Sequence, residues 1–148
     1  MKIYIASDHA GFPLKEELRE HLKTGGHEVL DLGVFDLVNK VDYPDMAREV
    51  GEKVRENSGS RGVLVCGTGI GVAIAANKLK RIRAANVHDV TEARFARLHN
   101  DANILTLGQR TMGSETAKEV VDTFLKTEFE GGRHLARVEK ITAIENAE

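Results

Sequence analysis

Short apolar runs alternate along the chain with longer segments of helical spacing. The runs lie near Ile3 to Ala6, Glu28 to Leu32, Val63 to Cys66, Arg83 to Val87 and Ile104 to Leu107. Between them, apolar positions recur at helical intervals over Leu14 to Leu22, Tyr43 to Arg55, Val72 to Leu79, Val90 to Leu98 and Thr116 to Leu125. This is the pattern of βαβ units, and it predicts a three-layer α/β/α, Rossmann-like domain with a five-stranded parallel sheet over residues 1–148. Val63 to Val65, aliphatic and flanked by glycine and cysteine, read as a strand buried on both faces.

Proline and glycine punctuate the same boundaries. Pro13 and Pro44 sit where a first-turn proline is tolerated, Gly25-Gly26 stops the first helix, and Gly113-Ser114 precedes the fifth. Gly33 to Asp42 is the longest irregular connection, and long βα connections often carry function. A further helix is expected over roughly Arg133 to Glu145. Its apolar residues Leu135, Val138, Ile141 and Ile144 are spaced by three, so the stripe drifts about 60° per step and should touch two surfaces. Arg133, Arg137 and Lys140 share a face, which suits either an anion or plain solvation.

Composition narrows the class. A net charge of −2 with mixed signs supplies no global field for nucleic acid or an anionic membrane, and two tyrosines without tryptophan offer little for stacking bases. One cysteine forms no internal disulfide, and neither a signal peptide nor a membrane-length apolar run is evident, so a cytoplasmic protein is expected. The six histidines make no HxxxH pair, so no metal is expected.

Ligands of open parallel sheets bind beyond the carboxyl ends of the strands. That rule gathers Ser7-Asp8-His9-Ala10-Gly11, Cys66-Gly67-Thr68-Gly69-Ile70-Gly71 and Gly108-Gln109-Arg110 at one edge. Cys66 reads either as strand-end core or as a thiol activated at the start of a helix near Gly71. The glycine turn suits a phosphate or a developing oxyanion. It is GxGxG rather than GxGxxG and lies on the third strand, so a dinucleotide fingerprint, with Asp89 as its acid, is incomplete. Asp8-His9 is compatible with an acid–base pair, a phosphate contact or a metal fragment. His99 closes the fourth helix, and spacing alone does not assign it to either sheet edge.

Taken together, Ser7-Asp8-His9-Ala10-Gly11, Asp42-Tyr43-Pro44-Asp45, Cys66 to Gly71, Ile74 to Lys78, Ile82-Arg83-Ala84-Ala85, His99 to Asn103 and Gly131-Gly132-Arg133-His134 resemble the type B ribose-5-phosphate isomerases. The wider family includes galactose- and allose-6-phosphate isomerases. The resemblance implies interconversion of ribose 5-phosphate and ribulose 5-phosphate through a cis-enediolate, within the pentose phosphate pathway. One branch of the family places its base at the position of Cys66, another a glutamate at the position of Val72. The resemblance therefore gives Cys66 the base role. It further implies that Gly67, Thr68, Gly69, Ile70 and Gly71 hold the enediolate oxygen, and that His99, assisted by Asp8, opens the sugar ring. His9, Arg133 and Arg137 would bind phosphate, and Asn100, Arg110 and Tyr43 would line the sugar. No cofactor or metal is implied. A homodimer or homotetramer is, with the last helix at the subunit interface and Arg133 and Arg137 reaching the neighbour's site. A hexose-6-phosphate isomerase and, from another class, a non-catalytic phosphosugar- or nucleotide-binding module are the alternatives.

Overall fold

The computed structural model describes residues 1–148. Five parallel strands, β1 (Lys2–Ser7), β2 (Glu28–Asp31), β3 (Arg61–Cys66), β4 (Ala84–Asn86) and β5 (Ile104–Gly108), lie in the order β2-β1-β3-β5-β4. The intervening helices are α1 (Phe12–Thr24), α2 (Tyr43–Glu56), α3 (Ile70–Ala76), α4 (Val90–Leu98) and α5 (Ser114–Lys126); a 3-10 turn (Gly132–His134) leads into α6 (Leu135–Ala147). Side chains alternate between the two faces of each strand. Ile3 and Ile5, Val63 and Val65, and Leu105 and Leu107 pack against α1, α4 and α5. Tyr4 and Ala6, Leu64 and Cys66, and Ile104 pack against α2 and α3. The predicted three layers are therefore present, and Val63 to Val65 are fully buried.

Three elements depart from the sequence reading. The third helix starts at Ile70 and stops at Ala76 instead of running to Leu79. It stops because the Asn77 amide turns to the sheet: Oδ1 accepts the Ala84 N–H (2.8 Å) and Nδ2 donates to the Ala84 carbonyl (2.9 Å). β4 keeps only the middle of the expected Arg83 to Val87 run. The last helix is broken at its start, so Arg133 belongs to a 3-10 turn and does not continue the face of Arg137 and Lys140.

Two local devices set the geometry around β1. Ser7 N–H donates to Gly33 O (2.7 Å) and Val34 N–H to Ser7 O (2.9 Å), which ties the start of the long connection to the strand end. Lys15, fully buried, holds it there: Nζ bonds Asp31 Oδ1 (2.9 Å), Asp31 Oδ2 (2.8 Å) and Val34 O (2.6 Å). A buried ammonium stripped of such partners costs about 3–5 kcal/mol. α6 stands apart from both cores. Only Val138 is buried, whereas Leu135, Ile141 and Ile144 are 49%, 44% and 67% exposed.

Candidate active site

At the carboxyl edge, the first turn is brought against the third strand by Gly11. A Cβ there would lie 2.5 Å from Val65 O and 2.9 Å from Cys66 N, so only glycine lets the Ser7–Gly11 turn sit beside Cys66. Asp8, nearly buried, closes that turn by accepting the Gly11 N–H through Oδ1 (3.0 Å). On the other side of Cys66, Gln109 N–H donates to Cys66 O (2.8 Å) and Arg110 N–H to Gly67 O (2.9 Å). The Arg110 guanidinium consequently lies against Gly67, and the Tyr43 ring, at the start of α2, lies against Gly71.

The glycine turn itself is tightly held. Gly69 has φ +80°, and a Cβ there would meet Asn86 Oδ1 at 2.5 Å and the Leu107 backbone at 2.9 Å. Its carbonyl accepts the Thr106 hydroxyl (2.8 Å), and its N–H donates to Cys66 Sγ (3.1 Å). Cys66 is 4% exposed and packs with Val72 and Ala76, so it is both core and the head of the turn. Thr68 Oγ1 accepts the Ile70 N–H (3.2 Å), which leaves its own hydrogen free to donate outward. Ser7 Oγ, His9 Nδ1 and Asn86 Oδ1 are buried at this edge without a hydrogen-bond partner. Unpaired buried polar atoms are rare in native folds, and three of the four found in this chain lie at this edge, His27 Nδ1 being the other.

The edge gathers Asp8, His9, Tyr43, Cys66 to Gly71 and Arg110, but not the remaining predicted residues. β5 runs from Ile104, paired with Gly62 and Ala84, to Gly108, paired with Cys66. Asn100 lies at the starting end, where its carbonyl accepts from Arg83 Nε (3.1 Å), and His99 precedes it at the end of α4. Four strand steps of roughly 3.3 Å, about 13 Å in all, separate that end from Cys66. His99 and Asn100 therefore share the opposite edge with the start of α6. Within one chain they do not meet the thiol.

This second edge has its own cluster. His99 stacks on His134 (centroids 4.2 Å apart) and on Phe95 (4.7 Å). Arg133 Nε donates to His134 Nε2 (3.3 Å). Burial, followed by the charges of His99, Arg133 and Arg137, holds the His134 imidazole below its ordinary pKa, against an opposing pull from Glu130. His99, Glu130 and His134 place donor atoms within 4.8 Å of one another. The two rings are nearly parallel, 14° apart, so their lone pairs run side by side, whereas a shared cation needs them to converge.

Sequence reasoning missed Ser7, Asn86, Thr106, Phe95, Glu130 and His134 as parts of these sites. Ser7 and His134 stand inside motifs already singled out; the others carry no local signal. Asp89, the acid considered for a dinucleotide ribose, instead caps α4 by accepting the Glu92 N–H (2.7 Å).

The sequence profile of the Ribose/Galactose Isomerase family matches residues 3–141, and the chain belongs to that family. It is 46% identical over 144 residues to ribose-5-phosphate isomerase B of Escherichia coli, covering 97% of this chain and 96% of that one. Ribose-5-phosphate isomerase B of Clostridium thermocellum superposes with a TM-score of 0.96 at 50% identity, over 99% of both chains. The Mycoplasma genitalium enzyme, solved with bound ribulose 5-phosphate, gives 0.95 at 46% identity, over 99% of this chain and 97% of that one. No helix is long and apolar enough to cross a membrane.

Proposed function

We propose that the chain, as one isomerase domain over residues 1–148, interconverts ribose 5-phosphate and ribulose 5-phosphate in the cytoplasm without a cofactor. The observation that carries this reading is the Gly69 N–H on Cys66 Sγ, at the mouth of an edge lined by unpaired polar atoms. The sulfur takes the C2 proton of the open-chain aldose, the C1–C2 double bond forms, and the carbonyl pair moves to O1. The amides of Gly67 to Gly71 and the Thr68 hydroxyl hold that oxygen. The thiol returns the proton to C1 while the O2 hydrogen passes to O1, which leaves the ketone at C2. Val72, fully buried and apolar, offers no competing base.

The ring is opened first: His99 takes the proton of the C1 hydroxyl, the C1–O4 bond breaks as the aldehyde forms, and the proton is passed on to the departing O4, with Asp8 assisting at the sugar oxygens. His9, Arg133 and Arg137 bind the phosphate, and Tyr43, Asn100 and Arg110 line the sugar. Because Cys66 and His99 stand at opposite edges, a complete site takes one edge from each of two copies. The exposed Leu135, Ile141 and Ile144 of α6 supply the apolar surface for that homodimer. His99 and Asn100 then join Arg133 and Arg137 on the neighbour's side.

Mixed dimers test the arrangement. Cys66→Ala and His99→Asn chains, dissociated together and reassociated, should recover about a quarter of wild-type turnover of ribose 5-phosphate, since half the dimers are mixed and one of their two sites is intact. No recovery would place each site within one chain. Running the same assay with allose 6-phosphate reports whether the extra carbon is accepted; a preference for it would make the enzyme a hexose-phosphate isomerase.

A further inference from the structure

Behind His99 stands a carboxylate that the reaction described above does not use. Glu130 Oε2 is 3.9 Å from His99 Nε2 and 3.6 Å from His134 Nε2. The Glu130 backbone N–H donates to Leu98 O (3.1 Å), which fastens the loop carrying the carboxylate to the helix carrying His99. Phe95 and His134 cover the two faces of the His99 ring and leave its edges as the only directions for chemistry.

The protons of the cluster follow from its donors. His134 Nε2 accepts from Arg133 Nε, so that nitrogen carries no hydrogen and His134 is the neutral Nδ1–H form. The proton that the Glu130 carboxylate attracts, at 3.9 Å and short of a direct hydrogen bond, is then the one on His99 Nε2. A negative charge beside one imidazole nitrogen favours the proton there and leaves the other nitrogen bare. We propose that Glu130 is a positioning residue for His99, holding its Nε2–H tautomer between Phe95 and His134 so that unprotonated Nδ1 faces the C1 hydroxyl of the closed sugar. The proposal rests on the ring-opening role given to His99, and its test separates the two.

Ribulose 5-phosphate has its O5 esterified and cannot close to a furanose, so deuterium wash-in at its C1 reports the enediolate step alone. Conversion of ribose 5-phosphate also needs the ring opened. Glu130→Ala should slow conversion on the order of tenfold and leave wash-in unchanged. Glu130→Gln, which keeps an acceptor, should recover part of the loss, and Glu130→Ala should add nothing in a His99→Asn background. Equal losses in both assays, or an undiminished loss without His99, would overturn the proposal. If His99→Asn divides the two assays and Glu130→Ala does not, Glu130 alone loses its role; if His99→Asn lowers both equally, the ring-opening role falls and the proposal with it.

Discussion

The two edges of this sheet are built to different degrees of completion. At the carboxyl edge, Cys66, Gly69, Thr106 and Asp8 are tied by hydrogen bonds within the chain, and the thiol is closed into the core. At the other, Arg83, Asn100, Ile141 and Ile144 are among the residues lining an open groove of about 800 Å³. One edge is closed by bonds within the chain; the other presents a basic side chain and apolar side chains outward. On the function proposed above, the first edge supplies the base from within one chain, whereas the second reaches a thiol only across a contact between two copies.

The comparison breaks most visibly at the thiol. Cys66→Ala should lower isomerisation of ribose 5-phosphate roughly 10²–10⁴-fold or more, against a stability loss of only about 1–3 kcal/mol from the unpaired Gly69 N–H, and near-normal turnover would remove the base from this edge. Gly69→Ala comes next. Its positive φ and the backbone of Leu107 leave no room for a methyl group, so strain of about 1–3 kcal/mol should appear as lost stability and a lowered kcat. Were both unchanged, the turn would not be rigid.

The opposite edge is sharpened by Ile144→Asp. The side chain is 67% exposed, so the single chain should fold as before while activity becomes strongly dependent on protein concentration. Sedimentation would show a shift toward monomer; an unchanged sedimentation coefficient would take α6 out of the interface. The smallest effect concerns pH. His134 has a folded-state pKa below its ordinary 6.5, so the neutral ring contributes stability that is present above that value and lost as pH falls through the lower folded one. Melting temperature should therefore decline from neutral pH toward pH ~5, and His134→Gln should flatten that part of the curve.

Much of the fold was legible because buried parallel strands leave continuous apolar runs, and prolines and glycines mark the helix ends. The contents of the carboxyl edge were legible for the same reason: Cys66 ends a strand, and Asp8 and Arg110 come within two residues after one. What escaped depends on contacts distant in sequence. α3 stops early because Asn77 bonds a residue beyond the next loop, and Lys15 looks like a solvated helix residue until Asp31 is brought across it. The edge to which His99 belongs is set by the direction α4 runs back along the sheet, which no motif encodes. Glu130 lies in a loop with no periodicity, and its meaning comes only from the rings beside it.

The Asn77 amide that ends α3 has a second effect, on the sheet's own margin. β4 is an outer strand, and outer strands expose backbone groups on which foreign strands can grow. Asn77 fills both the N–H and the carbonyl of Ala84, the two contacts a visiting strand would take. Recruitment of further strands, the route by which exposed sheets turn into fibres, is thus blocked at the first residue of β4 by a side chain of the same molecule.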